Sequence, residues 1–467
     1  MLGQILMTPS PPASVKHDPY AALKTRGYFT YSLGWVTAIL GQQMASVALG
    51  WDIYSRTHSA MSLGWVGLVQ AIPVIALALP AGQMADKLDR RKLVISTQLI
   101  VALASVALAY VSHTHGPVEW MYVIIGLASC AAAIGGPARS ALLPQIVSTA
   151  LLSNAIAWNS SFFQIASMVG PAIGGFLLRF TVPGVYLLDG AFSLVFAIAL
   201  MFLHVRPADR TKEPASFRTL TEGIRFVFKN QIILATITLD LFAVLLGGAV
   251  FLLPVFAQRL DVGATGFGWL RAAPAVGAFL MAMLITHLPP MKNAGRAMLL
   301  AVAAFGGATI VFGLTPVYRD FVVAHPDYAW LGTPVFGVRP WYWVALIALA
   351  LTGAFDNISV VVRHTLVQVL APDSMRGRVS AVNNVFIGAS NELGGFESGL
   401  TAKLFGPVWS VIGGGIGTIV VVIAAAITWP KLRQFGSLHD AQPIEHPEGP
   451  AAEVIAKPAG PVSSSGL

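Results

Sequence analysis

Apolar stretches of about 20 residues, each long enough to cross a bilayer as a helix, recur along the whole chain. Only 11% of the 467 residues are charged, against about 25% in soluble proteins. The chain is therefore predicted to be an all-α polytopic membrane protein whose main solvent is lipid. We place twelve spans at 28–50, 62–85, 93–112, 118–138, 155–178, 184–204, 232–257, 266–288, 297–315, 341–362, 379–402 and 407–429.

The spans form two groups of six, separated by a long polar segment. This pattern predicts two six-helix bundles at 28–204 and 232–429, joined by a linker at 205–231. The remaining segments, 1–27 and 430–467, are predicted tails. The N-terminal tail lacks an apolar core and a small-residue cleavage site, so we expect no cleaved signal peptide.

A weak internal repeat relates the two groups. Shifting the chain by 224 residues places Arg139 over Arg363 and Gly175 over Gly399. Two pseudo-symmetric bundles joined in parallel would produce such a match. A chance similarity between two helices rich in small residues is the alternative.

Basic residues predict the orientation of the spans. Apart from Arg271, which falls inside a span, Lys and Arg concentrate on the side that carries both termini. The other side holds Arg56, Arg179, Arg259, Arg319, Arg339 and Lys403. Cytoplasmic loops are enriched in Lys and Arg, so both termini are predicted to be cytoplasmic.

The linker contains apolar residues at helical spacing, with charged residues on its other faces. The apolar set is Phe217, Leu220, Ile224, Val227 and Phe228. Such a pattern predicts an amphipathic helix at the lipid interface. It is compatible with a simple connector and with a regulatory role.

The first cytoplasmic loop reads GQMADKLDRRK at positions 82–92. This sequence resembles the loop 2–3 signature of the major facilitator superfamily, with Asp89 in place of the usual second glycine. The resemblance implies two six-helix bundles that alternate in opening a central cavity to either side.

Within this loop, the resemblance implies a latch that holds the cytoplasmic side shut in one state. A small residue allows close helix packing, and opposite charges can pair at helix ends. A plain basic anchor is the alternative, although it leaves the glycine and the aspartates unexplained. The residues of the latch are Gly82, Asp86, Asp89, Arg90 and Arg91.

The fifth span ends in GPAIGG, which resembles the core of a signature found in antiporters of that superfamily. Its motif residues are Gly170, Pro171, Gly174 and Gly175. Small residues allow close helix packing and proline bends a helix, so a packing role alone also fits. The fourth span lacks the buried arginine common in proton-coupled drug antiporters, which leaves the place of any proton coupling open.

The run from Gly353 to Gly399 resembles a bacterial efflux branch that includes enterobactin-exporter-like and macrolide-efflux-like proteins. The resemblance implies a multi-pass protein of the bacterial cytoplasmic (inner) membrane. It also implies export of a drug, siderophore or other small amphipathic molecule, with protons as the coupling ion.

Charged and amide side chains inside the predicted spans are candidates for coupling or for lining the cavity. Each buried charge costs about 2.5–3.5 kcal/mol on insertion scales, so such residues are functional candidates by default. They are Asp240, Arg271, Asp356, Asn384, Asn391, Glu392 and Glu397.

Glu392, near the middle of the eleventh span, is the first candidate for a group that gains and loses a proton. Glu397 lies nearer the outer surface, where Arg271 is a possible partner. Fixed salt bridges between helices are the alternative for both. On the tenth span, Asp356 and Arg363 share one face but lie about 10 Å apart along the axis, so each is predicted to find a partner on another helix.

Motifs of other protein classes are absent from the sequence. We find no HExxH metal site, GxSxG nucleophile elbow or Walker A loop, so neither an enzyme nor an ATP-driven pump is expected. The prediction is a monomeric secondary active exporter with no cofactor, no metal and no nucleic-acid partner. A lipid or metabolite transporter or importer not coupled to protons is the alternative, followed by a membrane-embedded sensor or enzyme.

Overall fold

The computed structural model describes residues 18–205, 217–289 and 291–436, with the side chains of 217–220 and 373–374 excepted. Most of both predicted tails and part of the linker lie outside these residues. The helices are α1 (Arg26–Thr57), α2 (Ala60–Ala76), α3 (Ala78–Lys87), α4 (Arg90–His113), α5 (Val118–Ile146), α6 (Leu152–Leu177), α7 (Val182–Met201), α8 (Phe217–Lys229), α9 (Gln231–Leu246), α10 (Leu253–Arg259), α11 (Gly263–His287), α12 (Ala294–Gly313), α13 (Thr315–Ala324), α14 (Pro340–Leu370), α15 (Asp373–Phe405), α16 (Pro407–Thr428) and α17 (Pro430–Arg433).

Twelve spans are built from these helices. By length and apolar composition alone, nine helical segments of the described chain qualify, and α2 with α3 forms a tenth across a bend of 50°. Pro80 lacks the N–H that would bond one turn back, which explains a bend at this point. The other two spans, α1 and α15, are more polar, and each packs against several of the other helices. The twelve-helix prediction is confirmed.

The two six-helix bundles repeat one packing scheme. In the first, α4 packs on α5 and α7, and α1 packs on α6 and α7. In the second, α12 packs on α14 and α16, and α9 packs on α15 and α16. The pseudo-symmetry that the repeat predicted is therefore present. The bundles meet chiefly along two seams, α2 against α15 and α6 against α11.

We name the end of the molecule where α1 begins and α16 ends the terminal end, and the opposite one the distal end. At the distal end, one buried apolar cluster joins both bundles and includes Met44, Val66, Leu252 and Phe267. At the terminal end, each bundle has a cluster of its own. The bundles are thus fused at the distal end and separately packed at the terminal end.

Candidate functional site

Glycines bring α2 and α15 into backbone contact at the distal end. A Cβ added to Gly399 would lie 2.5 Å from the Cα of Gly64. A Cβ on Gly67 would lie 2.5 Å from the carbonyl oxygen of Glu392. Only glycine permits so close an approach without a shift of backbone. The glycines of the eleventh span therefore form a packing surface between the two halves.

The GPAIGG motif closes the second seam. A Cβ on Gly175 would lie 2.6 Å from the Cα of Gly268 on α11, and a Cβ on Gly268 would lie 2.5 Å from the carbonyl oxygen of Pro171. Gly170 and Gly174 face Gln43 and Met44 of α1. The motif thus packs α6 against both its own bundle and the other one.

Gly175→Val is expected to open the second seam at the distal end. The added side chain would meet the backbone of α11, and overpacking of this kind costs about 1–3 kcal/mol. Spin labels at Phe180 and Phe405, which are 71% and 66% exposed, should report a longer distance in the variant. Gly307→Val is the matched control, since a Cβ there meets no atom within 4 Å. An unchanged distance in Gly175→Val would contradict this account of closure.

Glu392 and Arg271 lie on the two helices of the second bundle that form the seams. The described ion pairs within 4 Å do not join Arg271 to Glu392, so the two opposite charges act on each other only at longer range. Among the described residues, Oε2 of Glu392 is a buried atom without a hydrogen-bond partner. This arrangement leaves one carboxylate oxygen available to a proton or a substrate.

The structure corrects the partner suggested for Glu397. Its carboxylate accepts a hydrogen bond from the Ser398 hydroxyl at 3.5 Å, and the described ion pairs do not include it. Glu392, five residues earlier on α15, is the carboxylate whose charge acts on Arg271, although the described ion pairs do not include it either. The sequence argument placed both glutamates on one helix but could not determine which of them faces α11.

The remaining candidates differ in their environments. Asn384 and Asn391 are exposed on α15, where Asn391 donates to the carbonyl of Ile387 at 2.9 Å. Asp356 is partly buried on α14. The amide side chains of Asn384 and Asn391 are therefore not packed into the core. Side chains that line an opening between the bundles would be exposed in this way.

Asp240 forms a buried ion pair with Arg363, which joins α9 to α14. The side chains are 7% and 3% exposed. As expected, Arg363 finds its partner on another helix, but the sequence did not identify Asp240 as that partner. Asp240 therefore helps to hold α9 and α14 together within the second bundle.

The loop motif binds helices of its own bundle together. Arg90 donates to the carbonyls of Ala85 at 3.2 Å and Ala141 at 3.0 Å. Arg91 donates to the carbonyls of Leu200, at 2.7 Å, and Met201. These carbonyls lie near the terminal ends of α3, α5 and α7, where cations compensate the helix dipole.

Asp89 accepts a hydrogen bond from the backbone N–H of Lys92 at 3.1 Å and so caps α4. Capping explains why an aspartate is favourable where related loops have glycine. Gly82 lies within α3, and Asp86 also has an interaction partner.

Sequence reasoning missed two buried polar connections in the first bundle. Asp52 pairs with Arg56 at 2.7 Å, and Arg56 also donates to the carbonyls of Ser112 and Gly116. Asp189 accepts a hydrogen bond from Ser105 at 2.6 Å. The i,i+4 spacing of Asp52 and Arg56 was a usable signal, whereas the second pair depends on how α7 meets α4.

The predicted linker helix corresponds to α8. Phe226 and Val227 are buried, whereas Arg225, Phe228 and Lys229 are exposed. Glu222 pairs with Arg378 at 2.5 Å and so joins α8 to the start of α15. The helix is therefore docked on the second bundle.

Comparison with known proteins identifies the family. The Major Facilitator Superfamily profile matches residues 31–341. The chain belongs to this superfamily. It is accordingly a membrane transporter and not an enzyme, as its sequence predicted.

Individual relatives agree with the family. The Enterobactin exporter EntS of Escherichia coli O6:K15:H31 (strain 536 / UPEC) is 22% identical over 402 residues, which cover 85% of this chain and 90% of that protein. The EntS protein of Shigella boydii serotype 18 (strain CDC 3083-94 / BS512) matches equally well.

Two solved structures share the fold of this superfamily member. The nucleoside transporter NupG has a TM-score of 0.64 at 14% identity, covering 88% of this chain and 100% of that one. A bacterial homolog of the human lysosomal transporter Spinster, in an inward-facing and unoccupied conformation, has a TM-score of 0.65 at 15% identity, covering 89% and 99%.

Proposed function

We propose that this chain is a proton-coupled exporter of small amphipathic molecules that works by alternating access. The observation that carries the proposal is the buried Oε2 of Glu392, which has no hydrogen-bond partner among the described residues and belongs to the helix that forms the first seam. Arg271 lies one turn beyond Gly268, and the backbone of Glu392 touches Gly67. Protonation of Glu392 removes its attraction to Arg271, and so a proton can change how α11 and α15 hold the distal end shut.

The basic residues and the conformation support an orientation for the protein, and a relative supports the direction of transport. The terminal end carries most of the Lys and Arg residues, and we assign it to the cytoplasm. Closure at the distal end then corresponds to an inward-facing state, which receives substrate from the cytoplasm. Similarity to an exporter over 85% of the chain supports export. The protein would lie in the cytoplasmic membrane of a bacterium as a monomer with both termini inside.

The substrate class is proposed from the relatives. The curated relatives named above are enterobactin exporters, so a siderophore is the first candidate and enterobactin the first probe. The exposed amides of Asn384 and Asn391 would supply hydrogen bonds to a polar edge of such a molecule. A drug or another amphipathic metabolite falls within the same class.

Proteoliposomes loaded with enterobactin test the proposal. Acidifying the outside medium should accelerate its release and acidify the lumen, since protons enter as substrate leaves. Empty liposomes and liposomes without a pH gradient are the controls. An equal rate of release with and without the pH gradient would favour the alternative, a transporter that is not coupled to protons. Accumulation from the outside, with no release from the lumen, would favour an importer.

A further inference from the structure

A second cavity lies at the distal end of the second bundle, outside the seams. Its volume is about 770 Å³, and it opens beneath the segment that connects α13 to α14. The start of α11 forms the opposite wall. Cavities of this size accommodate drug-sized molecules. The proposed transport cycle assigns no role to it.

Three aromatic residues, Trp269, Trp341 and Tyr342, contribute to its lining, and the polar atoms of two of them are already engaged. Trp341 donates to the carbonyl of Leu260 at 3.4 Å, and Tyr342 donates to the carbonyl of Gly266 at 3.0 Å. Both side chains are buried, whereas Trp269 on α11 is 52% exposed. The engaged residues present ring surface to the cavity in a preformed arrangement, which suits an aromatic or apolar body.

Three charged residues line the cavity, namely Asp261, Arg319 and Arg339. Arg319 pairs with Asp261 and also with Asp320 at 2.9 Å, and its Nε has no hydrogen-bond partner in the described chain. Arg339 donates to the carbonyl of Gly332 at 2.9 Å and lies 5.5 Å from the ring of Trp341. Arg319 is therefore compensated by two carboxylates, whereas the described ion pairs do not include Arg339, whose charge would favour an anionic group over a cation.

We propose that this cavity binds an amphipathic aromatic anion from the distal side and that occupancy stabilises distal closure. The aromatic body would lie between Trp269 and Tyr342, and the anionic group would lie near Arg339. This site is separate from the route between the bundles. The proposal therefore stands or fails independently of proton-coupled export.

The link to closure comes from one helical turn of α11. Thr265, Gly266 and Trp269 line the cavity. On the same turn, Phe267 stacks on Trp51 of α1 with ring centroids 6.0 Å apart, and Gly268 packs on Gly175. A ligand that binds this arrangement better than a distal-open one shifts the population towards closure.

Binding is tested with 2-naphthalenesulfonate and its uncharged analogue naphthalene-2-sulfonamide. The full-length protein in nanodiscs, titrated calorimetrically against empty nanodiscs, should bind the sulfonate saturably at one site. Ala329→Trp fills the cavity from an exposed lining position and should abolish saturable binding. Ala329→Ser and Trp330→Leu, the latter on the same segment but outside the lining, should bind as wild type.

The charge requirement is tested at Arg339. Arg339→Gln should weaken sulfonate binding by about tenfold, the value of one hydrogen bond to a charged group, and leave sulfonamide binding unchanged. Arg339→Lys should retain most of the preference for the anion. Absence of saturable binding, or binding that Ala329→Trp leaves intact, would overturn the site.

The same spin labels at Phe180 and Phe405 test the effect on closure. Saturating sulfonate should move the distance distribution towards its shorter component in wild type and have no effect in Ala329→Trp. Saturable binding without that shift would overturn the link between the cavity and the seam.

Discussion

Glu392→Gln is expected to abolish release driven by a proton gradient and to preserve substrate exchange at equal pH on both sides. Glutamine resembles the protonated carboxyl in shape and charge, so the variant can still bind and carry substrate. It can no longer gain or lose a proton or attract Arg271. Gradient-driven release and exchange of labelled for unlabelled substrate are measured in the same proteoliposomes.

Two variants control for the loss of a carboxylate elsewhere. Glu119→Gln changes an exposed residue in the first turn of α5 and should behave as wild type. Glu397→Gln changes the other glutamate of α15, whose carboxylate accepts a hydrogen bond from Ser398 and is not among the described ion pairs, and should retain coupling. Wild-type coupling in Glu392→Gln, or loss of exchange together with coupling, would refute the role assigned to Glu392.

Arg363→Met is expected to lower the free energy of unfolding more than any other of these substitutions. It leaves the Asp240 carboxylate buried without its partner, a change that typically costs about 3–5 kcal/mol. The thermal unfolding temperature of the purified protein should fall accordingly. The double variant Asp240→Leu with Arg363→Met removes both charges and should recover most of that loss, because an apolar pair has no charge to desolvate.

An exposed ion pair provides the comparison. Lys24 and Asp18 are 2.5 Å apart, with side chains 69% and 38% exposed. Pairs of this kind contribute about 0–1 kcal/mol, so Lys24→Met should change the unfolding temperature little. If the double variant is no more stable than Arg363→Met, the ion pair stabilises the fold by more than the neutralisation of two buried charges.

Much of the fold could be predicted because hydropathy is a local property. Each span except the more polar eleventh is marked by its own apolar run. Helix ends were less accurate. The fourth span was predicted to end at 138, but α5 continues to Ile146 and carries Arg139 inside the helix, where its guanidinium lies 5.9 Å from the ring of Trp35.

Partner choice inside the bilayer could not be predicted in the same way. Asp240 and Arg363 are 123 residues apart, and nothing in the sequence near either residue specifies the other. The sequence suggested Glu397 as the partner of Arg271, whereas Glu392 on the same helix is the carboxylate whose charge acts on it. The choice between them depends on the rotation of α15 about its axis, which the glycine contacts with α2 help to set.

The sequence by itself determined the membrane location, the number of spans and the residues that carry charge within them. The tertiary structure decided which charges meet, which end of the molecule is closed and where the second cavity lies. The physical reason is the range of the forces involved. The apolar pattern of a span can be seen within a single helix. Charge pairing and closure depend instead on how closely helices distant in the chain approach one another, and the addition of one methyl group at a contact would change that distance.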